Sequence, residues 1–301
     1  MSDGLASAPV GVVPILWNNV DLPDLGPPVE AGHVLDEVAR LGFTGCQFGR
    51  GFPEGDALRT MLSARGLRLA ERYLPIACGP DGPDDAALQR ARDVLRRTHA
   101  AGGEVLVLAG DGNPERDACF GRVGGGSPRL TDDGFRALAG LVNRIGAEAT
   151  ELGCRVAFHP HSATWIETSE EVTRLLELTD ATTVGICLDV GHFTVGGGDS
   201  LAALRDFGER VTHVHLKDVD AQVLQRVRDG LVPDFGQAVR ERIFTEPGNG
   251  VVDIGGIVGA LAGQDYAGWI MIEQDSTWLA PAEAAAIGLR VYEFARRQLD
   301  R

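Results

Sequence analysis

The 301-residue sequence contains no run of 18 consecutive apolar residues, and Met1-Ser-Asp-Gly-Leu-Ala-Ser-Ala-Pro9 has no basic segment followed by an apolar one. Neither a transmembrane helix nor a secretory leader is expected, so the reading is a soluble, cytoplasmic protein with no membrane partner. Cysteine is sparse and odd in number: Cys46, Cys78, Cys119, Cys154 and Cys187 show no C-x-x-C spacing. That pattern implies neither a disulfide framework nor a structural zinc site. Positive charge is in short supply. Lys and Arg number 28 against 43 Asp and Glu, a net charge of −15, which repels a phosphate backbone and sets nucleic acid aside as a partner. No G-x-G-x-x-G opens a helix behind a strand, and Gly124-Gly-Gly-Ser-Pro lies in a long loop, so a dinucleotide cradle is not indicated. The composition that remains, 44% hydrophobic and 24% charged, is that of a globular chain with material for a large core.

Short apolar runs alternate with amphipathic stretches, the pattern of a parallel sheet covered by helices. Strands are expected at Val10–Leu16, Gly45–Phe48, Leu67–Leu74, Val105–Ala109, Arg155–His161, Val184–Asp189, Val211–Lys217 and Trp269–Glu273. Helices are expected at Ala31–Leu41, Asp56–Arg65, Asp84–Ala101, Asp132–Leu152, Ser169–Thr179, Ser200–Glu209, Gly255–Ala262 and Pro281–Gln298. Thr168-Ser-Glu-Glu171 reads as a capping box, and Gly42, Gly66, Gly102 and Gly153 stand just past helix ends. Eight strand–helix pairs are the count of a closed (β/α)8 TIM barrel, here one domain over 1–301 with elaborated loops at about 110–130 and 220–250.

Five of the seven histidines, His159, His161, His192, His213 and His215, fall between positions 159 and 215, each in or just after an expected strand. The carboxyl ends of barrel strands form the active-site face. Alternation along a strand places His159 with His161 on one face, and His213 with His215 and Lys217 on another shared face. Asp189 and Glu273 end two further strands. Charges aimed into a barrel are costly unless compensated, and a divalent cation is a common compensation; Mn²⁺, Co²⁺, Zn²⁺ and Mg²⁺ all suit carboxylates with imidazole. Asp218 faces away from this group, which favours a turn or salt-bridge role. Trp17, after the first strand, is read either as part of the pocket floor or as a core residue.

Phe158-His-Pro-His-Ser-Ala-Thr-Trp-Ile-Glu-Thr168, Cys187-Leu-Asp-Val-Gly-His192, His213-Val-His-Leu-Lys-Asp218, Phe244-Thr-Glu-Pro-Gly-Asn-Gly-Val-Val-Asp253 and Ile272-Glu-Gln-Asp275 follow one another in that order. The series resembles the xylose-isomerase-like TIM-barrel sugar isomerase/epimerase superfamily, nearest to its inosose (keto-inositol) dehydratase group. The resemblance covers nearly the whole chain. It implies one divalent metal, Mn²⁺ first among the choices, with Asp189, His215 and Glu273 as ligands. At the fifth strand this chain has His159 where many relatives have glutamate. Either Glu167, eight residues on, folds back as the fourth ligand or His159 serves, and Glu167 is preferred. His161, His192 and Lys217 are read as substrate-binding or proton-transfer residues, with His159 and Trp17 also against substrate.

Such a constellation suits proton abstraction α to a carbonyl, with Glu167 or Glu273 as base and His161, His192 or Lys217 as acid. Epimerisation, aldose–ketose isomerisation and dehydration of a small sugar or cyclitol all start this way, and the residues do not choose among them. A non-catalytic sugar-binding barrel and an apurinic-endonuclease-like metal hydrolase are the other classes compatible with the fold. The net charge weighs against the hydrolase. A homo-oligomer is left open.

Overall fold

The computed structural model describes residues 4–299; the expected domain span of 1–301 includes residues 1–3 and 300–301, which lie outside the described residues. Eight parallel strands, β1 (Val10–Val12), β2 (Gly45–Gln47), β3 (Arg68–Ile76), β4 (Val105–Gly110), β5 (Arg155–His159), β6 (Val184–Asp189), β7 (Val211–Leu216) and β8 (Ile270–Ile272), close in chain order, with β8 pairing to β1. The helices that return the chain are α1 (Ala31–Leu41), α2 (Gly55–Ser63), α3 (Ala87–Ala100), α4 (Asp132–Glu151), α5 (Ser169–Glu177), α6 (Ser200–Phe207), α7 (Ile254–Gly263) and α8 (Pro281–Gln298). This is the expected (β/α)8 barrel. No helix among the described residues is long and apolar enough to cross a membrane.

Strand alternation divides the core into two layers. On β4, Leu106 and Leu108 pack outward against the helices while Val105 and Val107 join Ala157, Cys187, Trp269 and Met271 inside the barrel. A parallel strand covered on both faces reads as a continuous apolar run for this reason. The helices present one stripe each: on α1, Val34, Leu35 and Val38 are fully buried, at spacings that share a helix face. Gly42 ends that helix at φ 96°, a left-handed conformation that glycine adopts without steric cost. The capping box is present, Thr168 accepting from the Glu171 amide and Glu171 accepting from the Thr168 amide.

Three departures from the sequence reading bear on the site. The first strand stops at Val12, and Pro14–Leu16 forms a 3₁₀ turn, because proline cannot donate to a ladder. The turn swings Trp17 toward α1, where its indole N–H donates to Glu37 at 2.5 Å; the residue is core, not pocket floor. The strand register shifts where Cys46 pairs with Leu69 but Gln47 with Glu71, leaving Ala70 as an extra residue. Both Ala70 and Glu71 consequently face inward. The elaborated loops are also built: Pro114–Asp117, Ala221–Arg228 and Phe235–Arg240 are helical, and Asp218–Val219 pairs with Phe244–Thr245.

Gly45 tests the barrel packing. A methyl group there would lie 2.5 Å from the Trp269 ring and 2.7 Å from the Arg68 carbonyl oxygen. We expect Gly45→Ala to cost about 1–3 kcal/mol in urea unfolding; an unchanged midpoint would show that the barrel wall yields more easily than this.

Candidate active site

Inward positions of four strand ends bring four donors together. His159 closes β5, Asp189 closes β6, His215 lies on β7 and Glu273 follows β8, and one donor atom from each lies within 4.8 Å of the others. His159 Nε2 is 3.6 Å and His215 Nδ1 3.7 Å from Asp189 Oδ2, while His215 Nδ1 is 2.6 Å from Glu273 Oε2. All four residues are buried. Asp189 does two jobs with its two oxygens: Oδ1 accepts from the His192 amide and caps the short helix Val190–Val195, and Oδ2 points into the cluster. One side chain thus both caps a helix and faces the converging donors.

Lys217 is the one ammonium in this acidic group. Its Nζ lies 2.9 Å from Asp275 Oδ1, 3.1 Å from Glu273 Oε1, 3.5 Å from Asp189 Oδ2 and 3.2 Å from His192 Nε2, and 4.4 Å above the Phe244 ring centre. Burial alone would push the lysine pKa down, but Asp189, Asp275 and Glu273 hold it well above its usual value. Burial likewise opposes ionised Asp189 and Glu273, and Lys217, helped by the neighbouring imidazoles, keeps both carboxyls below their ordinary range. At Asp275 burial wins, and its carboxyl is pushed up to about 7. Gly191 makes room for the lysine, since a Cβ there would sit 2.7 Å from Lys217 Cγ. The glycine of the Asp189-Val-Gly-His192 motif thus serves packing.

Their partners hold the imidazoles in place. His192 lies with Nε2 3.2 Å from Lys217 Nζ and Nδ1 3.0 Å from Ser162 Oγ and 3.3 Å from the Ser162 amide. His161 donates from Nδ1 to the Ser162 carbonyl at 2.8 Å, leaving Nε2 bare. Burial drives the His161 pKa down to about 3 and that of His192 well below normal. Their rings stack with centres 3.8 Å apart. A cavity of about 500 Å³ opens over the cluster, with His159, His161, His215, Glu273, Asp275 and Tyr73 in its lining.

Glu167 is not among the converging donors. Its Oε1 accepts from the Gly121 amide at 2.6 Å and its Oε2 from the Ala163 amide at 2.9 Å, with Arg116 3.8 Å away. It ties the 110–130 loop to the β5 end, and His159 occupies the fifth-strand position in the cluster instead. Burial raises the Glu167 pKa to about 7 against these partners. Asp218, as expected, holds a turn: its carboxylate accepts from the amides of Val219, Gly248, Gly250 and Val252. Two residues of the site escaped the sequence reading. Asp275 shares strand parity with Glu273, a signal that was there to use; Glu71 is fully buried beside His213 and His215, and only the register shift turns it inward.

Whether this group suits a cation can be judged from its own atoms. Asp189 Oδ2 is buried without a hydrogen-bond partner, and His215 Nδ1 and Glu273 Oε2 meet only each other, an expensive arrangement if nothing fills it. Three buried carboxyl groups, Asp189, Glu273 and Asp275, face the single ammonium of Lys217, and a fourth, Glu71, lies against His213 and His215. Two imidazoles and two carboxylates fit a divalent ion.

Fold and site together define a (β/α)8 barrel with an imidazole–carboxylate centre at the carboxyl ends of its strands. The chain belongs to the Xylose isomerase-like TIM barrel family, whose family model matches residues 35–294. Among curated relatives, the inosose dehydratase of Geobacillus thermodenitrificans (strain NG80-2) is 34% identical over 281 residues, spanning 92% of this chain and 93% of the relative. That of Lacticaseibacillus casei is 32% identical over 282 residues, with 92% and 93% covered. Among solved structures, an L-ribulose 3-epimerase superposes with a TM-score of 0.72 at 16% identity, covering 97% of both chains. The IOLI protein with a bound zinc atom gives 0.69 at 12% identity, covering 95% of this chain and 97% of its own. These structural likenesses describe the fold.

Removing the ammonium should expose how the acidic group is held. Lys217→Met leaves three buried carboxyl groups without their cation, and we expect a loss of about 3–5 kcal/mol in denaturant unfolding of metal-free protein. A loss below about 1 kcal/mol would mean that the carboxyl groups rearrange or protonate freely.

Proposed function

We propose that this chain is a divalent-cation-dependent dehydratase of a keto-cyclitol of the inosose type, acting by proton abstraction α to a carbonyl. The observation that carries the reading is the line Glu273–Lys217–Asp275, in which the buried lysine joins two carboxyl groups that line the cavity, Glu273 being also one of the four converging donors. The relatives named inosose dehydratase, at 30–34% identity over most of both chains, support it. His159, Asp189, His215 and Glu273 would hold the cation, for which Mn²⁺, Co²⁺ and Zn²⁺ all suit two imidazoles and two carboxylates. When bound, it supplies Lewis acidity to a carbonyl and its neighbouring hydroxyl.

The chain's own groups account for the proton movements. Glu273 takes the proton from the carbon α to the carbonyl, and Asp275, whose carboxyl is held near neutrality by burial, gives a proton to the departing β-hydroxyl. One water is lost. Lys217 stands 3.1 Å from one carboxylate and 2.9 Å from the other, so it passes the abstracted proton to Asp275 and the site returns to its starting state. His192 holds the lysine in place. The bare Nε2 of His161 accepts a hydroxyl of the substrate. Epimerisation asks for bases on both faces of one carbon, and here the fifth-strand position that could supply a second carboxylate carries His159, with Glu167 committed to two backbone amides. This arrangement favours dehydration.

The ligand set is tested by separating His159 from Glu167. His159→Ala should weaken Mn²⁺ or Co²⁺ binding, read by chelator competition, and lower activity with it; Glu167→Gln should keep metal affinity within about 10-fold of the parent. The opposite pattern would return Glu167 to the centre.

The reaction is tested with keto-inositols in D₂O. Loss of one water, seen as a fall in mass and a gain in near-ultraviolet absorbance, is expected together with deuterium exchange at the α-carbon. Asp275→Asn should retain exchange while water loss slows by roughly 10²- to 10⁴-fold, the usual contribution of a general acid. Products of unchanged mass apart from deuterium would make the enzyme an epimerase or isomerase. Binding without exchange would make it a non-catalytic barrel.

A further inference from the structure

One buried group takes no part in the chemistry above. Glu71, on β3, is fully buried inside the barrel, one layer below the four converging donors. Its Oε2 lies 3.0 Å from His215 Nε2 and in contact with His213 Nε2. The other nitrogen of His215, Nδ1, faces Glu273 and Asp189. Glu71 reaches this place only because the register shift at Ala70 turns it inward against the strand alternation.

We propose that Glu71 is a positioning residue that fixes the tautomer of His215, an assignment that rests on the cation site proposed above. A carboxylate accepts hydrogen bonds and donates none, so Glu71 keeps a proton on His215 Nε2. Nδ1, 2.6 Å from Glu273 Oε2 and 3.7 Å from Asp189 Oδ2, is then the nitrogen that gives up its proton when a cation enters between these groups. Histidines that bind metals are commonly oriented in this way through their second nitrogen. His213 braces the same carboxylate from the opposite side, which keeps Glu71 from turning toward the cavity. A glutamine in place of Glu71 reverses the logic: its amide N–H₂ directed at Nε2 requires a lone pair there, moving the proton to Nδ1 and closing that nitrogen to a cation.

Two measurements test this. In zinc-loaded protein labelled with ¹⁵N-histidine, nitrogen–proton correlation spectra should show His215 protonated at Nε2 and not at Nδ1; protonation at Nδ1 overturns the assignment and needs no variant. Glu71→Gln should then lower zinc affinity by about 10- to 100-fold in chelator competition, with an unfolding transition that remains cooperative. Parent-like affinity in a folded Glu71→Gln protein overturns the proposal. So does a stoichiometry of two zinc ions per chain that falls to one in the variant, which would make Glu71, His213 and His215 ligands of a second ion. A parent protein that takes up no zinc, Mn²⁺ or Co²⁺ removes the cation site itself, an outcome distinct from both.

Discussion

The structure depends on keeping a surplus of carboxyl groups inside a barrel. Glu71, Asp189, Glu273 and Asp275 are each buried, and no protein interior holds such a set without compensation. Lys217 supplies part of it by standing among three of the four, and the imidazoles supply hydrogen bonds. What is left over is the space between His159, Asp189, His215 and Glu273, where Asp189 Oδ2 has no hydrogen-bond partner and His215 Nδ1 meets only Glu273. The electrostatic cost of that arrangement is what makes it fit a divalent cation.

Barrel geometry makes that arrangement possible. Parallel strands end on one rim, and every second residue of each faces inward, so single side chains from β5, β6, β7 and β8 converge without any local motif joining them. Local devices then refine the positions. Asp189 caps the helix that carries His192 while aiming its second oxygen at the cluster, so one residue serves both positions. Gly191 gives the lysine chain its passage. Asp218 gathers three amides from the 247–252 turn, with that of Val219, and fixes the chain just beyond Lys217. Glu167, with Arg116 and Glu171, fastens the long loop after β4 to the end of β5.

The β5 position carries an imidazole, so the four converging donors are two imidazoles and two carboxylates. Beside them Lys217 stands between the Glu273 and Asp275 carboxyl groups. On the proposed reading, that carboxyl–lysine–carboxyl line is what would carry a proton from a carbon to a leaving oxygen.

The sequence by itself determined the barrel. Apolar runs bounded by turn residues gave all eight strands and eight helices close to their places, and alternation put Asp189, His215, Lys217 and Glu273 on inward faces, because those signals are local and repeat over several residues. Asp275 was legible in the same way, two positions beyond Glu273, and was passed over. Tertiary structure decided the rest. Seven residues separate His159 from Glu167, and the amides of Gly121 and Ala163, one of them distant in the chain, determine where the Glu167 carboxylate goes. Trp17 left the pocket because Pro14 broke the strand before it. Glu71 entered the interior because the pairing between β2 and β3 slips by one residue at Ala70, and a slip of one residue reverses the face of every side chain beyond it. Strand pairing is a property of two chain segments, so no periodicity within either one records it.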